Sequence, residues 1–458
     1  MESALQDKSG SLRELDVMTS KWNVCLMNDS FPPKIDGVSN AVMNYADIIQ
    51  RKYGNAVVAV PQYPKVVDDY PFQVVRYPSF KTKKTVGYRA GYPFSASALH
   101  KLEIQNIDII HSHCPIAATL LARILRETIH VPIVLTYHTK YDIDIARAIK
   151  SERLQQAAIK GLVNNIEACD EVWVVSRGAG ENLRSLGYKG EYVIMENGVD
   201  FPCGRVDERE VVKLRSKHDI PDTCCVFLFV GRLMWYKGIR IILDGIKRAG
   251  DGGLPFKMIF IGDGTNREEI EEYAELLGLK EYCLFTGAVQ DRELLRVYFC
   301  MADMFLFPSA YDTNGIVVRE AAACGLPSVV IAGSCAAEGI IDGRTGIFID
   351  ENAESMAEAI TGAFQNKSRL KEIGLNAMNE IYISWDESVE KAYQRYGMII
   401  EKYVRGDFRE QHVKYDELIA AYADIYEGFQ KVRARQSKIS NKFKFKMEQL
   451  MERFDRYL

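Results

Sequence analysis

The sequence contains no apolar run approaching the roughly 18 residues that a membrane-spanning helix requires, so any membrane contact has to be peripheral. Its ten cysteines include no CxxC pair and no signal peptide opens the chain, which favours buried thiols in a reducing cytosol over disulfides or zinc. Histidine is scarce, at seven residues, and forms no clear metal-ligating cluster, so no metal or other cofactor is expected. Neither sign of charge dominates. The formal net charge of -4 gives no general attraction to nucleic acid and leaves electrostatic partners to local patches. What is present is a globular composition, 47% hydrophobic and 26% charged, in 458 residues, a length suited to two domains with appendages.

Residues 1–21 are polar and read as a flexible leader. The first strand, Trp22 to Met27, feeds a Pro-containing loop with Gly37 at the entrance of a helix expected from about Asn40 to Tyr53. Short apolar runs follow at 56–60, 73–76, 107–111, 133–137, 171–175 and 192–195, separated by helical patterns, notably Ala117 to Glu127 and a long Ile143 to Ala168. Residues 22–200 therefore read as one doubly wound α/β domain with a mostly parallel sheet. The turn Asn197-Gly-Val-Asp200 marks the boundary, and a polar stretch, Cys203 to Asp222, leads into a second alternation over 201–385. Its strands are expected at 225–230, 257–261, 284–286, 304–307, 328–331 and 347–349. From Ser384-Trp-Asp386 the pattern is helical, giving a C-terminal extension over 386–458.

Chemistry-bearing residues gather where strands end. After the apolar run Met304 to Phe307 comes a turn holding Asp312, Thr313, Asn314 and Gly315, then Ile316 and an Ala-rich helix with Glu320 in its second turn. Two carboxylates beside a helix N-terminus suit a ligand that combines hydroxyls with an anion. The bland reading is a helix cap followed by a surface glutamate. After the strand ending at Val230, Gly231, Arg232 and Lys237 bring two cations to one turn and one helix start, which is what a pyrophosphate needs; two solvated basic side chains are the alternative. The run Gly262-Asp263-Gly264 closes another strand, a weak signal by itself. His113 and His138 also follow strands. A buried histidine is more often a structural hydrogen-bonder than a catalyst, but the end of a parallel strand is where open α/β sheets hold ligands.

The stretch from Asp312 to Glu320 resembles the E-x7-E signature of retaining glycosyltransferases of family 4, with Asp312 replacing the first glutamate and Asn314 standing where an aromatic is common. The pattern Gly231-Arg232-x4-Lys237-Gly238 is similar to that family's diphosphate clamp, and Asn197-Gly-Val-Asp200 to its interdomain crossing. The resemblance covers about residues 22–400 and implies a GT-B fold: two Rossmann-like domains facing a cleft, with a C-terminal helix returning to the first. It implies a nucleotide-diphosphate sugar held by Arg232 and Lys237 at the diphosphate, Glu320 at the ribose, and Asp312, Thr313, Asn314, Gly315 and Ile316 around the sugar. It also implies a nucleotide-side turn at Gly262, Asp263 and Gly264. By the same resemblance Gly37 would come near the diphosphate and acceptor and His138 near a sugar hydroxyl, while His113 reads as structural or as a support behind the site. No metal is required.

Residues 137–141 and 312–315, with the basic tail, look similar to bacterial diacylglycerol glucosyltransferases. That implies transfer from a donor such as UDP-glucose to a membrane lipid, on the cytoplasmic face of the cell membrane. A soluble or polyprenyl-linked sugar acceptor is the nearest alternative; a nucleotide-sugar epimerase or an inactive sugar-binding relative belongs to other classes. In the tail, Tyr415, Leu418, Ile419, Tyr422, Ile425, Tyr426 and Phe429 make one apolar stripe and Phe443 to Leu458 carries another. Seven Lys or Arg and no acid lie between Lys431 and Lys446. This pattern fits an anionic membrane surface, as does the run Lys81-Thr-Lys-Lys84; packing against the first domain or a second subunit is the alternative.

Overall fold

The computed structural model describes residues 21–82, 89–310, 312, 315–408, 416–417 and 419–428. Tyr311, Thr313, Asn314, the leader, Lys83 and Lys84, and the tail beyond 428 lie outside the described residues. The chain forms two compact units, one of residues up to 136 with 144–172 and 394 onward, the other of 137–143 with 173–393.

One sheet has seven strands in the order Gln73–Tyr77, Asn55–Pro61, Asn23–Met27, Ile109–Ser112, Ile133–Tyr137, Glu171–Val174 and Val193–Ile194. The other has six, in the order Cys283–Gly287, Phe256–Ile261, Cys225–Val230, Met304–Phe307, Ser328–Ile331 and Ile347–Ile349. Their strands pair in parallel. In both sheets the chain winds outward from a central strand and then reverses, so each has a topological switch point where two loops diverge. In the second unit that point lies between Cys225–Val230 and Met304–Phe307. The fold is α/β of the two-Rossmann type expected.

Both strands at that point are continuous apolar runs because helices cover both sheet faces. Phe227, Phe229, Phe260, Phe305 and Phe307 are all buried, with Phe229 and Phe307 stacked at 5.9 Å. Each contributes about 1.5–3 kcal/mol by leaving water. The strand ends are thereby fixed, and the loops carrying the charged residues start from rigid points.

Several elements differ from the sequence reading. The first helix starts at Gly37, three residues early, because Asp36 caps it: its Oδ1 accepts from the Ser39 amide at 2.7 Å while Ser39 Oγ accepts from the Asp36 amide at 2.8 Å. The long helix expected over 143–168 is two, Tyr141–Ala148 and Glu152–Glu167. The break is supported by Gln155, whose side-chain amide donates to the Ile149 carbonyl at 2.6 Å. Glu208–Lys217 is a helix where a polar connector is expected; Val211 and Leu214 are its buried face. A small hairpin, Ser79–Lys81 with Arg89–Gly91, was not legible. All ten cysteines are free thiols; most are buried and Cys203 is exposed.

The helix Trp385–Arg405 joins the first unit from Gln394 onward. There the Tyr396 hydroxyl meets His111 Nδ1 at 2.6 Å, and His111 Nε2 meets Thr136 Oγ1 at 2.7 Å. The His113 ring lies 4.0 Å from that of His111, tilted by 37°, with Tyr45 edge-on to both, so this pair belongs to the core. Of the first tail stripe, Ile419 and Tyr426 are buried, and the Tyr422 hydroxyl donates to the Phe94 carbonyl at 2.9 Å. This part of the tail packs on its own unit, and Ile425 of the same stripe is exposed.

Candidate active site

The second unit gathers most of the expected residues at its switch point. Beyond Val230 the chain turns through Gly231 and Arg232 into a single helical turn, Trp235–Lys237, then into the helix Ile239–Asp251. Gly238 joins them in the left-handed conformation, φ 75°, and a Cβ there would lie 1.9 Å from the Pro308 carbonyl oxygen. Only glycine lets the Lys237 turn approach the Pro308 turn this closely. Lys237 is buried, with its ammonium 5.6 Å from the Phe307 ring centroid, and it donates to Asp312 Oδ2 at 2.8 Å. Asp312 also accepts from the Gly315 amide at 3.4 Å, at the start of the helix Ile316–Ala323. Arg232 is exposed, and its guanidinium has no hydrogen-bond or ion-pair partner among the described residues.

The Gly262–Gly264 turn is knitted to the same point. A Cβ at Gly262 would lie 1.9 Å from the Gly231 carbonyl oxygen. The Leu233 amide donates to the Asp263 carbonyl at 3.0 Å, and the Asp263 carboxylate accepts from the Gly264 amide at 2.8 Å. Backbone therefore packs on backbone, leaving the mouth free of side-chain bulk.

Glu320 is buried on the helix that Gly315 begins, and burial pushes its carboxyl above the usual range while Arg292 opposes that rise. Arg292 donates to Glu320 Oε1 at 2.6 Å, sits 3.6 Å from Asp200 and covers the Phe201 ring at 4.4 Å. Sequence reasoning missed Arg292, since its partner is 28 residues away and no motif surrounds it. The Asn197–Asp200 turn is anchored beside it: Arg319 pairs with Glu196, and Ser388 Oγ donates to the Glu196 carbonyl at 2.6 Å.

His138 is buried in the short segment 137–143 that belongs to this unit. Two residues on, Lys140 Nζ lies 3.5 Å from Cys335 Sγ, and burial raises the Cys335 thiol, with Asp312 near enough to add to the rise. Lys140 is a further cation, beside Cys335, that the sequence reading did not single out. Thr313 and Asn314 lie outside the described residues.

Gly37 belongs to the first unit, exposed at a helix start with open space around it. At that unit's switch point the sequence reading overlooked Asp29. Its carboxylate accepts from the Ala117 and Ala118 amides at 3.0 and 2.8 Å and from the Tyr77 hydroxyl at 3.1 Å. Burial raises its pKa against those hydrogen bonds. The lone clue was its place directly after a strand.

Among the described residues no group of three or more His, Cys, Asp or Glu is arranged to hold a metal ion, and no helix is long and apolar enough to cross a membrane.

Comparison with known proteins agrees with this architecture. A Glycosyltransferase Family 4 domain matches residues 35–201, and a domain described as Glycosyl transferases group 1 matches residues 211–380. The alpha-monoglucosyldiacylglycerol synthase of Streptococcus pneumoniae is 25% identical over 309 residues, covering 66% of this chain and 70% of that protein. The enzyme of the same name from Acholeplasma laidlawii is 23% identical over 363 residues, 77% of this chain and 90% of its own. Among solved structures, Anabaena HepE in complex with UDP and glucose superposes with a TM-score of 0.63 at 16% identity, covering 82% of this chain and 99% of its own. Sucrose-phosphate synthase from Thermosynechococcus elongatus gives 0.66 at 19%, covering 83% and 100%. With the family 4 domain followed by the group 1 domain on a GT-B fold, the chain belongs to the family 4 and group 1 glycosyltransferases.

Proposed function

We propose that the protein is a retaining hexosyltransferase that moves glucose from UDP-glucose to a membrane lipid such as diacylglycerol, forming an α-glycolipid as a peripheral protein of the cytoplasmic membrane face. The observation that carries this reading is that Arg232, Lys237, Asp312 and Glu320 all lie on the two segments that follow the strands of one switch point, with Lys237 paired to Asp312. The names of the two bacterial synthases support the lipid acceptor, and the UDP and glucose bound by HepE support the donor.

In this reading Arg232 and Lys237 bind the diphosphate, while Asp312, with the backbone at Gly315 and Ile316, takes sugar hydroxyls. Glu320 accepts from the ribose, and His138 bonds a sugar hydroxyl. Gly262 to Gly264 let the nucleotide approach backbone. The bond from the sugar's anomeric carbon to the diphosphate oxygen breaks and a bond to the acceptor oxygen forms on the same face. The acceptor's proton passes to the leaving phosphate. Negative charge grows on the diphosphate in the transition state, so the two cations contribute most there. No step is routed through a metal, and turnover is expected to persist in chelator.

The test is a donor-by-acceptor assay. UDP-glucose, UDP-galactose and UDP-N-acetylglucosamine are each supplied with and without diacylglycerol in mixed micelles, reading UDP release and glycolipid together. Lipid-dependent release with an α-linked product supports the proposal. Release without glycolipid points to hydrolysis or another acceptor, and conversion of the donor sugar alone identifies an epimerase.

A further inference from the structure

The first unit contains a cavity of about 530 Å³ that none of the residues discussed for transfer enters. That volume is in the range of sites for small organic ligands, about 300–1,000 Å³. Its wall is apolar: Phe94, Ile116, Leu120, Ala158, Leu162 and Ile419 come from four separate parts of the chain. Polar groups in the lining are almost fully engaged. Arg123 is 2% exposed, donates from Nη1 to Asn165 Oδ1 at 2.6 Å and pairs through Nη2 with Asp416, while Asn165 donates to the Pro115 carbonyl at 3.1 Å. The Nε–H of Arg123 alone has no hydrogen-bond partner among the described residues. An acyl chain matches such a lining: methylenes for an apolar wall whose polar groups are already engaged or shielded.

The surroundings indicate where that chain comes from. Ile116, on the cavity wall, is 53% exposed, and Leu154, one helical turn before Ala158 on the same helix face, is 61% exposed. From Phe94 an aromatic row leads outward, with ring centroids 5.9 Å apart to Tyr92 and 5.9 Å again to Phe80, which is 61% exposed. The next residue is Lys81, on the same short hairpin. Apolar rings beside a cation at the mouth of an apolar cavity are complementary to the boundary between acyl chains and anionic headgroups.

We propose that this cavity takes one acyl chain of the lipid acceptor. The proposal rests on the lipid-acceptor reading above. Asp29 has a part in it: by capping the helix Ala117–Ile129 it fixes the Pro115–Ile116 wall.

The experiment uses the full chain and pyrenedodecanoic acid as a fluorescent probe, with dioleoylglycerol as competitor. Gly161 lines the cavity, a Cβ there has nothing within 4 Å, and a larger residue favours its helix, so Gly161→Phe fills the space without threatening the fold. Ala158→Phe does the same from one turn away. The wild type is expected to bind the probe and release it to dioleoylglycerol; both variants bind it about tenfold or more weakly, since several methylene sites are lost. The thermal shift with UDP stays that of the wild type. Equal probe binding by wild type and variants overturns the proposal, as does no binding by the full chain or displacement by oleate but not dioleoylglycerol. Binding that follows the expected pattern while no donor yields glycolipid leaves the cavity assignment standing and removes the transfer reading. Glycolipid formed by Gly161→Phe at an unchanged KM for lipid does the reverse.

Discussion

The two switch points share a topology and carry very different side chains. In the second unit the segments that diverge there carry Arg232, Lys237, Asp312 and Glu320, and close backbone packing holds the Lys237 turn against the Pro308 turn. In the first unit the corresponding carboxylate, Asp29, is spent inward on helix amides, and what opens beside that helix is an apolar cavity with exposed aliphatic rims. The crevice comes from strand order; whether it suits an anion or a hydrocarbon is decided by a handful of side chains just past the strands.

The sharpest way to break the contrast is to remove its most buried cation. Lys237→Ala is expected to lower turnover by about 10²–10³-fold, because in the proposed reading the lost charge would stabilise the departing diphosphate. His113→Ala, in the other unit's core, should leave turnover per folded molecule within about tenfold. Comparable losses in initial-rate assays would count against the assignment. Arg232→Ala comes next, with UDP affinity falling about ten- to hundredfold in titration calorimetry, the size of a hydrogen bond to a charged group.

The backbone half of the comparison is tested by two glycines. Gly238→Ala should destabilise by about 1–3 kcal/mol in denaturant unfolding, having both the left-handed backbone and the Pro308 carbonyl against it. Gly37→Ala should stay within about 0.5 kcal/mol, since its side has room. Asp29→Asn should cost about 1 kcal/mol through the weakened cap while UDP affinity holds; a loss of UDP binding would move Asp29 into the donor site.

The smallest effect is a pH shift. Burial raises the Glu320 pKa and Arg292 opposes the rise, so Arg292→Met should raise it further. If the ionised carboxylate accepts from the ribose, donor KM increases as pH falls through the Glu320 pKa. In the variant that increase should begin at higher pH; a KM–pH profile identical to wild type would remove Glu320 from ribose binding.

Much of this was legible in the sequence because buried parallel strands are short apolar runs and the charged residues after them are close in sequence: Arg232 to Lys237 and Asp312 to Glu320 each sit within one turn and its helix. Less visible were features made by distance in the chain. Arg292 reaches Glu320 only once two helices pack, and the cavity joins residues from Phe94 to Ile419. The helix start at Gly37 was readable in principle, since Asp36 and Ser39 have capping-box spacing. The break at 149–151 was hidden, because the helical pattern continues through it and the glutamine that stabilises it is unremarkable on paper.

The ion pair between Lys237 and Asp312 has a kinetic side. In the proposed reading a diphosphate reaching Lys237 would have to take it from a carboxylate that already holds it at 2.8 Å, so binding would be an exchange of anions around one ammonium rather than the filling of a bare positive site. The gain on entry would be smaller, but the same carboxylate would be waiting after transfer, ready to reclaim the lysine and loosen the spent nucleotide. A cation with its own counter-ion would give up some grip in order to let go.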